Sequence, residues 1–355
     1  MSTTEIITFQ KLLNAAAENK ASDLHFTVGS FPILRIDDKL KPLTDYPLLT
    51  SSFIEEVIFS FLDNQEKEIL AKEREIAIAH TFIKGMRFRI NIFYQRNFLG
   101  ASFRFIPEII KNFKDLGLPK GVENFIKLKR GLVIITGPFG SGKSTTLISL
   151  INEINKTQAK RIVTLEKPIE HILINDKSIV EQREVGRDTL SFAEGLEFMS
   201  QEDIDVVMIS EIEKEEIISE LLKVAEAGRL IFSMMNVDSV AKCLEELINF
   251  FPTDRQELAK IMLADNLVGL VSQRLLPKIE GGRVLAAEIL VVTPPVQAII
   301  REGRFHQIKN ILQTSQAEGM VSLDRSLAEL VKRGLVSPED ALKEASDPQS
   351  LRAVL

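Results

Sequence analysis

One stretch, GPFGSGKSTT at residues 137–146, constrains the fold of this chain more than any other segment. It contains the pattern G-x-x-x-x-G-K-[ST], and it lies between an apolar, β-branched run and a helical pattern. Glycines let backbone N–H groups close around phosphate oxygens, and the positive end of the following helix faces the anion. Strand, loop and helix in this order predict a phosphate-binding loop. The alternative is a glycine-rich turn that matches the pattern by chance.

The residues predicted to hold the phosphates of ATP are Gly137, Ser141, Gly142, Lys143, Ser144 and Thr145. Lys143 can reach the β- and γ-phosphates, and the Ser144 hydroxyl is the predicted protein ligand of Mg²⁺. The motif therefore predicts a site for ATP and Mg²⁺.

Two further apolar strands end in acids, because residues 161–165 lead into Glu166 and residues 205–210 lead into Glu211. Ligands of open α/β sheets sit at the carboxyl ends of the strands, so Lys143 and both acids are expected in one crevice. Glu211 is predicted to orient or deprotonate the water that attacks the γ-phosphate. The alternative for each acid is a helix cap.

Composition excludes some other classes. The chain has 355 residues, enough for two domains, and a net charge of −6, which gives no overall basic field for nucleic acid. Its one cysteine, Cys243, lies in an apolar helical pattern and is expected to be buried and unreactive. No apolar run reaches the roughly 20 residues that cross a bilayer, and no secretory pattern opens the chain, so a cytosolic protein is expected.

Pattern changes along the chain predict three parts. Residues 1–106 read as a compact α+β unit, residues 107–118 as a proline-bracketed linker and hinge, and residues 119–355 as a mostly parallel sheet covered by helices. Beyond Pro277 the pattern becomes mainly helical, with one strand and four helical segments.

Within the first part, the spacing of apolar residues predicts a helix over residues 4–18, and a capping box at Ser52 and Glu55 predicts the start of a second helix. Asp37 and Asp38 are predicted to form a turn. A further helix is expected over residues 64–71. The predicted strands are residues 23–28, 32–36, 75–82, 86–94 and 101–105.

Three arginines lie on neighbouring strands of that unit. Arg87 and Arg89 share one strand face, Phe88 and Ile90 point the other way into the core, and Arg104 lies on the next strand. A solvated face is one interpretation. Because a phosphate-binding loop occurs in the same chain, an anion-binding role in trans is the other.

These residues together resemble the PilT-like hexameric secretion ATPases, the retraction motors of type IV pili. The segments that carry the resemblance are residues 21–25, 87–91, 103–107, 137–146, 164–170, 182–186, 250–252 and 272–277. Related extension and export ATPases usually carry a four-cysteine zinc motif, and the single cysteine here places the chain on the retraction side.

The resemblance implies an α/β fold with a PAS-like N-terminal α+β domain, a RecA-like ATPase core and a C-terminal helical region. It implies that Arg87, Arg89 and Arg104 reach the nucleotide of an adjoining subunit and that Glu166 orders the metal shell. A homohexamer is expected at the cytoplasmic face of the inner membrane, bound to the pilus platform protein there and not to nucleic acid. A paralogous retraction ATPase is a further expected partner.

The chain also departs from the family pattern. Arg229 and Asn236 stand where the family has two histidines, and Lys167 stands where it has an acid. Further departures are Glu197, Gln201, Glu213 and residues 295–297. Since lost cationic groups weaken stabilisation of the transition state, two functions stay open. One is a hydrolysing motor, and the other is an accessory nucleotide-binding subunit with weak or no hydrolysis. Arg229 is a candidate to replace one of the lost charges.

Overall fold

The computed structural model describes residues 3–36, 39–82 and 85–355, and the chain divides into two compact units. The N-terminal unit comprises Met1–Ile109 together with the segment Lys167–Ile172. The C-terminal unit comprises Ile110–Glu166 and Leu173–Leu355. Sequence patterns did not anticipate that the segment Lys167–Ile172, inserted between two stretches of the C-terminal unit, belongs to the N-terminal one.

The N-terminal unit packs helices against one antiparallel sheet. Its described helices are α1 (Thr3–Glu18), α2 (Ser51–Phe61) and α3 (Asn64–Glu73). Its described strands are β1 (Asp23–Phe26), β2 (Ile33–Ile36), β3 (Lys39–Pro42), β4 (Glu75–Thr81), β5 (Arg87–Gln95) and β6 (Phe98–Ile106). They pair in the order β3-β2-β1-β6-β5-β4.

The predicted helices and strands of this unit are confirmed, with two differences. Strand β3 was missed because all four of its residues are exposed, so its sequence KLKP carries no buried face. The capping box at Ser52 is wrong, since α2 is capped by Thr50, whose hydroxyl accepts a hydrogen bond from the Phe53 N–H at 3.2 Å. The predicted turn at Asp37 and Asp38 lies outside the described residues.

Aromatic side chains fill the core of the N-terminal unit. The rings of Phe26 and Phe103 have centroids 5.0 Å apart. Phe88 and Ile90 are buried, as their alternation with Arg87 and Arg89 predicted. The two arginines therefore lie on the opposite face of β5.

The C-terminal unit is a seven-stranded sheet with helices on both faces, in the order β13-β12-β7-β11-β10-β8-β9. Its strands are β7 (Gly131–Thr136), β8 (Arg161–Glu166), β9 (Ile179–Glu184), β10 (Val206–Ile209), β11 (Leu230–Met235), β12 (Leu267–Pro277) and β13 (Arg283–Val291). Its α-helices are α4 (Lys143–Thr157), α5 (Phe192–Met199), α6 (Glu215–Glu226), α7 (Val240–Asn249), α8 (Gln256–Asn266), α9 (Pro294–Glu302), α10 (Ile308–Thr314), α11 (Leu323–Lys332), α12 (Pro338–Glu344) and α13 (Pro348–Val354). Short 3₁₀ helices occupy Phe113–Leu116, Lys120–Lys127 and Phe305–Gln307.

Burial on both faces explains the continuous apolar runs of the central strands. In β7, Leu132 and Ile134 pack into the core shared with α5 to α8, whereas Val133 and Ile135 pack into the core shared with α4. The predicted, mostly parallel sheet is thus confirmed. Strand β12 was missed, although it pairs in parallel with β7 and antiparallel with β13. The tail contains α9 to α13, five described helices where four were predicted.

The parallel order brings four strand ends together. Strands β7, β11, β10 and β8 are consecutive parallel neighbours, so their carboxyl ends form one edge of the sheet, here called the carboxyl edge. The opposite ends form the amino edge. This topology places the residues that follow β7, β8, β10 and β11 side by side.

Candidate functional site at the carboxyl edge of the sheet

The loop from β7 to α4 needs its glycines. Gly137 has a φ of 144°, and a Cβ added there would lie 2.5 Å from the Gln273 carbonyl oxygen and 2.7 Å from the Ser141 Oγ. Gly142, the N-cap of α4, has a φ of 89°. Side chains at both positions would strain the backbone, and one at Gly137 would also clash, so the loop keeps its backbone N–H groups available around a small anion.

Lys143, the first residue of α4, is held inside this loop. Its Nζ donates to the carbonyl oxygens of Gly137 at 2.9 Å and Pro138 at 2.8 Å, and the residue is 6% exposed. Burial lowers the pKa of Lys143, and the charge of Glu211 opposes that shift. A desolvated ammonium that contacts carbonyl groups of its own loop is well placed to move onto a phosphate oxygen.

Hydroxyl groups complete the loop. The Ser144 side chain lies near Met234, with 3.7 Å between Oγ and Sδ, and Thr145 is half-buried. The Oγ of Ser141 and the Oγ1 of Thr146 are buried without a hydrogen-bond partner among the residues that the structure describes. Buried hydroxyls of this kind suit a ligand rich in acceptor oxygens.

Glu166 ends β8 and is 6% exposed. Its Oε1 accepts hydrogen bonds from the Thr164 hydroxyl at 2.7 Å and from the Gln182 side-chain amide at 2.9 Å. Thr164 lies two residues earlier on the same strand face, and Gln182 lies on the neighbouring strand β9, opposite Thr164. Two neighbouring strands therefore hold this buried carboxylate in place at the carboxyl edge.

Glu211 lies two residues beyond β10 and accepts a hydrogen bond from the Asn236 side-chain amide, which follows β11. The Ile212 N–H donates to the Met234 carbonyl at 3.0 Å and holds the Glu211 loop against the end of β11. The charge of Glu211 opposes the lowering of the Lys143 pKa by burial, so the carboxylate and the ammonium interact electrostatically. The structure thus brings Lys143, Glu166 and Glu211 to the same edge, as predicted from the strand ends.

The donor set fits Mg²⁺ bound together with phosphates. A hydroxyl and carboxylates are the hard oxygen donors that Mg²⁺ prefers. In the described parts of the chain, no cluster of three or more His, Cys, Asp or Glu side chains could hold a metal ion by itself. Mg²⁺ typically takes few protein ligands and shares its shell with water and nucleotide phosphates, so Ser144, with the carboxylates of Glu166 and Glu211 nearby, would suit it.

The three predicted arginines lie in the N-terminal unit, where each is partnered. Arg87 donates to the carbonyl oxygens of Ile169 and Glu170, both at 2.6 Å, and Arg89 pairs with the Glu170 carboxylate at 2.7 Å. Arg104, opposite Arg89 in the strand register, pairs with the Asp23 carboxylate at 3.0 Å. Arg87 and Arg89 therefore hold the segment Lys167–Ile172. Their side of β5 is not the open, solvated face of the first interpretation.

Arg229 does not supply charge at the phosphate loop. It immediately precedes β11, at the amino edge, and its guanidinium donates to the carbonyl oxygens of Ala227 at 2.6 Å and Glu202 at 2.8 Å. Since β7 and β11 are parallel, Arg229 and Lys143 lie at opposite ends of the sheet. The hypothesis that Arg229 replaces a lost catalytic charge is wrong for this reason.

Near Arg229 the C-terminal unit carries an ion-pair cluster of Arg161, Glu181, Arg183 and Glu202. Glu202 accepts hydrogen bonds from Arg161 and Arg183, both at 2.8 Å. The bond from Arg183 lowers the pKa of Glu202, and the bond from Arg161 lowers that of Glu181. These charges stabilise one another rather than face a ligand.

Two residues near the site were missed as functional candidates. Gln182 contacts Glu166, and Arg274 donates to the carbonyl oxygens of Gln273 and Asp238 while pairing with the Glu344 carboxylate at 3.2 Å. Their motifs, QREVG and SQRLLP, are visible in the sequence. Only the pairing of β9 with β8 and of β12 with β7 shows that both reach the carboxyl edge.

A parallel sheet with a phosphate-binding loop at its carboxyl edge and two acids on adjacent strand ends defines the RecA-like class of P-loop proteins. Residues 2–343 match the family described as "Type II/IV secretion system protein". The chain belongs to this family, as a PilT-like secretion ATPase. Its fold class is α/β, with a PAS-like N-terminal α+β domain, a RecA-like core and a helical C-terminal region.

Individual relatives are similar to this chain along nearly its whole length. The "Type IV pilus retractation ATPase PilT" of Pseudomonas aeruginosa is 35% identical over 340 residues, covering 96% of this chain and 98% of the relative. The "Type IV pilus ATPase PilU" of the same organism is 34% identical over 348 residues, covering 98% and 91%. A crystal structure of the pilus retraction motor PilT with bound ADP has a TM-score of 0.86 at 38% identity and covers 97% and 98% of the two chains.

None of the helices in the described ranges combines the length and apolar character that spanning a bilayer requires.

Proposed function

We propose that this chain is a Mg²⁺-dependent ATPase motor that drives retraction of type IV pili, and hence twitching motility, as a homohexamer. The observation that carries the proposal is the buried Lys143 in its glycine loop, in the electrostatic field of Glu211. Relatives of nearly equal length whose names describe pilus ATPases support it.

In this mechanism the loop binds the triphosphate first. Backbone N–H groups of residues 139–145 and the Lys143 ammonium surround the β- and γ-phosphates, and the Ser144 hydroxyl would hold Mg²⁺. The metal ion supplies neutralisation of charge on the transferring phosphoryl group. Glu166, fixed by Thr164 and Gln182, orders the water shell on that side.

Hydrolysis then depends on Glu211. Its carboxylate orients the attacking water in line with the γ-phosphate and takes up a proton as the water oxygen bonds to the γ-phosphorus. The bond from that phosphorus to the bridging oxygen breaks, and ADP leaves. Asn236 donates to Glu211 and keeps its side chain at the end of β10. In the assembled ring, Arg87, Arg89 and Arg104 would approach the nucleotide of an adjoining subunit, after Arg89 exchanges the Glu170 carboxylate for phosphate.

The proposed setting is the cytoplasmic face of the inner membrane, where the hexamer docks on the platform protein of the pilus machine. Residues 107–118, which include the boundary between the two units after Ile109, are the proposed hinge through which hydrolysis moves one unit against the other.

Phosphate release from ATP tests the proposal directly. The purified chain with ATP and Mg²⁺ should release phosphate, and K143A should abolish release because the cation that contacts the β- and γ-phosphates is gone. The matched control is K156A, since Lys156 is an exposed residue of the same helix. Wild-type release no faster than that of K143A would refute the motor.

A second candidate is an accessory subunit that binds nucleotide with weak or no hydrolysis and assists an active paralogue. The amide of Asn236 beside Glu211 favours it, because an amide supplies no titratable group where the family has a histidine. Tight ATP binding without turnover, together with stimulation of an active relative on mixing, would support this candidate. Under it, N236H should raise phosphate release above that of the wild-type chain.

A further inference from the structure

Gln182 makes hydrogen bonds to two residues of the C-terminal unit that flank the segment Lys167–Ile172 in the chain. Its side-chain Nε2 donates to the Glu166 Oε1 at 2.9 Å. Its Oε1 accepts from the Leu173 backbone N–H at 2.7 Å. Glu166 is the last residue before the segment, and Leu173 is the first residue after it. One amide therefore bridges the two points where the chain leaves and re-enters the C-terminal unit.

The orientation of this amide is determined by its partners. A carboxylate oxygen only accepts hydrogen bonds and a backbone N–H only donates. A flipped amide would place oxygen against the carboxylate and NH₂ against the N–H, so both contacts would be lost together. The two contacts also lie in a protected place, because Glu166 is 6% exposed and Leu173 is 7% exposed.

Two arginines bind the segment Lys167–Ile172, whose flanking residues are bridged by Gln182. Arg87 donates to the carbonyl oxygens of Ile169 and Glu170, and Arg89 pairs with the Glu170 carboxylate. A hydrogen-bonded chain thus runs from the Glu166 carboxylate through Gln182 to Leu173, and along the backbone to the residues that Arg87 and Arg89 hold.

We propose that Gln182 is a positioning residue that sets the Glu166 carboxylate for the metal shell and couples it to the segment Lys167–Ile172. This inference rests on the proposed function, because it takes Glu166 to face Mg²⁺ bound with nucleotide. When the carboxylate shifts toward the metal shell, the amide follows and the hydrogen bond to Leu173 shifts with it. Residues that orient a metal-side ligand typically change metal affinity by about 10-fold to 100-fold when removed.

Binding measurements on the full-length chain test the first half of the proposal without requiring turnover. ADP affinity is measured by calorimetry with Mg²⁺ and with EDTA, and the ratio gives the gain due to the metal. Q182M should reduce that gain by about tenfold, because Glu166 loses a fixed orientation. ADP affinity in EDTA should stay unchanged, since Gln182 is not part of the phosphate loop.

Hydrogen exchange at the Leu173 amide, read from overlapping peptides, tests the second half. Q182M removes the acceptor, so exchange at Leu173 should accelerate about fivefold to tenfold. T164V, an isosteric change, removes a second hydrogen bond to Glu166 and should lower the metal-dependent gain while leaving Leu173 exchange unchanged. The matched control is Q158M, because half-buried Gln158 donates at 2.7 Å to the Ile126 carbonyl, away from Glu166. It should change neither quantity.

The outcomes distinguish a failure of the proposed role of Gln182 from a failure of the proposed function. A Q182M chain with a wild-type gain from Mg²⁺ overturns the positioning role, and one with wild-type exchange at Leu173 overturns the coupling. If Q182M does not fold, Q182N, which shortens the side chain by one methylene, is measured in its place, and a gain from Mg²⁺ equal to wild type overturns the positioning role. A wild-type chain that gains no ADP affinity from Mg²⁺ overturns both this inference and the proposed site. A wild-type chain that shows the gain without hydrolysing ATP overturns only the motor.

Discussion

The ion-pair cluster and the phosphate loop of the C-terminal unit use charge in opposite ways. In the cluster, the carboxylates of Glu181 and Glu202 each have arginine partners, and their pKa values are lowered as a result. At the carboxyl edge, Lys143 contacts carbonyl groups of its own loop, and burial lowers its pKa. Partnered charges stabilise the fold, whereas a desolvated cation held by neutral carbonyl groups is prepared for a ligand. The two groups of charges are therefore suited to stability and to ligand binding, respectively.

The largest expected effect is at the carboxyl edge. E211Q keeps the size of the side chain but removes the carboxylate that we propose orients and deprotonates water, so kcat should fall by roughly 10²-fold to 10⁴-fold. The ATP dissociation constant should change less than about threefold, because the phosphate loop is intact. Steady-state phosphate release and calorimetry measure the two quantities.

The control is E216Q, an exposed residue in the first turn of α6. A loss of kcat in E216Q equal to that in E211Q would mean that general charge, and not position, matters at this edge.

A smaller effect, on stability alone, is expected in the ion-pair cluster. E202Q removes the charge that accepts from both Arg161 and Arg183, and the free energy of unfolding should fall by about 1.5–3 kcal/mol. Chemical denaturation measures it, with E197Q at an exposed position of α5 as the control, expected within about 0.5 kcal/mol of wild type. Reduced ATP affinity in a folded E202Q chain would contradict the separation of the cluster from the phosphate loop.

The stability difference between wild type and E202Q should also depend on pH. The Arg183 hydrogen bond lowers the pKa of Glu202 in the folded state. Its stabilisation is therefore present above the ordinary glutamate pKa of about 4.3 and is lost as the pH falls through the lower, folded-state value. The difference in unfolding free energy between wild type and E202Q should be constant near pH 7 and should shrink below about pH 4. A difference that grows on acidification would contradict the assignment.

Arg229 gives a further test of the difference between structural and functional charges, because the resemblance places a histidine at this position. R229M removes hydrogen bonds to the Glu202 and Ala227 carbonyl oxygens and should lower the free energy of unfolding by about 1 kcal/mol. ATP turnover should stay within about twofold of wild type, since the residue lies at the amino edge. A hundredfold loss of turnover at wild-type stability would place Arg229 at the phosphates and refute the geometry.

The smallest expected effect concerns Cys243. The side chain is fully buried, and burial raises the pKa of its thiol to about 12. The thiolate is therefore scarce below pH 9, and the native chain should react negligibly with a disulfide reagent over an hour, whereas the denatured chain should react fully. Rapid labelling of the native chain would show that α7 opens readily.

Much of the candidate site follows from local pattern. The glycine-lysine motif follows one apolar strand, and the acids Glu166 and Glu211 follow two more. This pattern alone predicted that Lys143 and the two acids meet in one crevice. The alternation of Arg87 and Arg89 with Phe88 and Ile90 likewise predicted which face of β5 is buried. These predictions succeed because strand period, glycine conformation and chain order act within a few residues.

Tertiary structure alone decided which side chains meet. It placed Arg229 at the amino edge, brought Gln182 against Glu166 through the pairing of β9 with β8, and assigned Lys167–Ile172 to the N-terminal unit. The same strand pattern is compatible with several sheet orders, and each order gives every side chain different neighbours. The sequence by itself thus determined the local structure of the loop and which residues it offers to a phosphate. The order of the strands determined which groups support it, because contacts between residues distant in the chain depend on crossovers that no local pattern encodes.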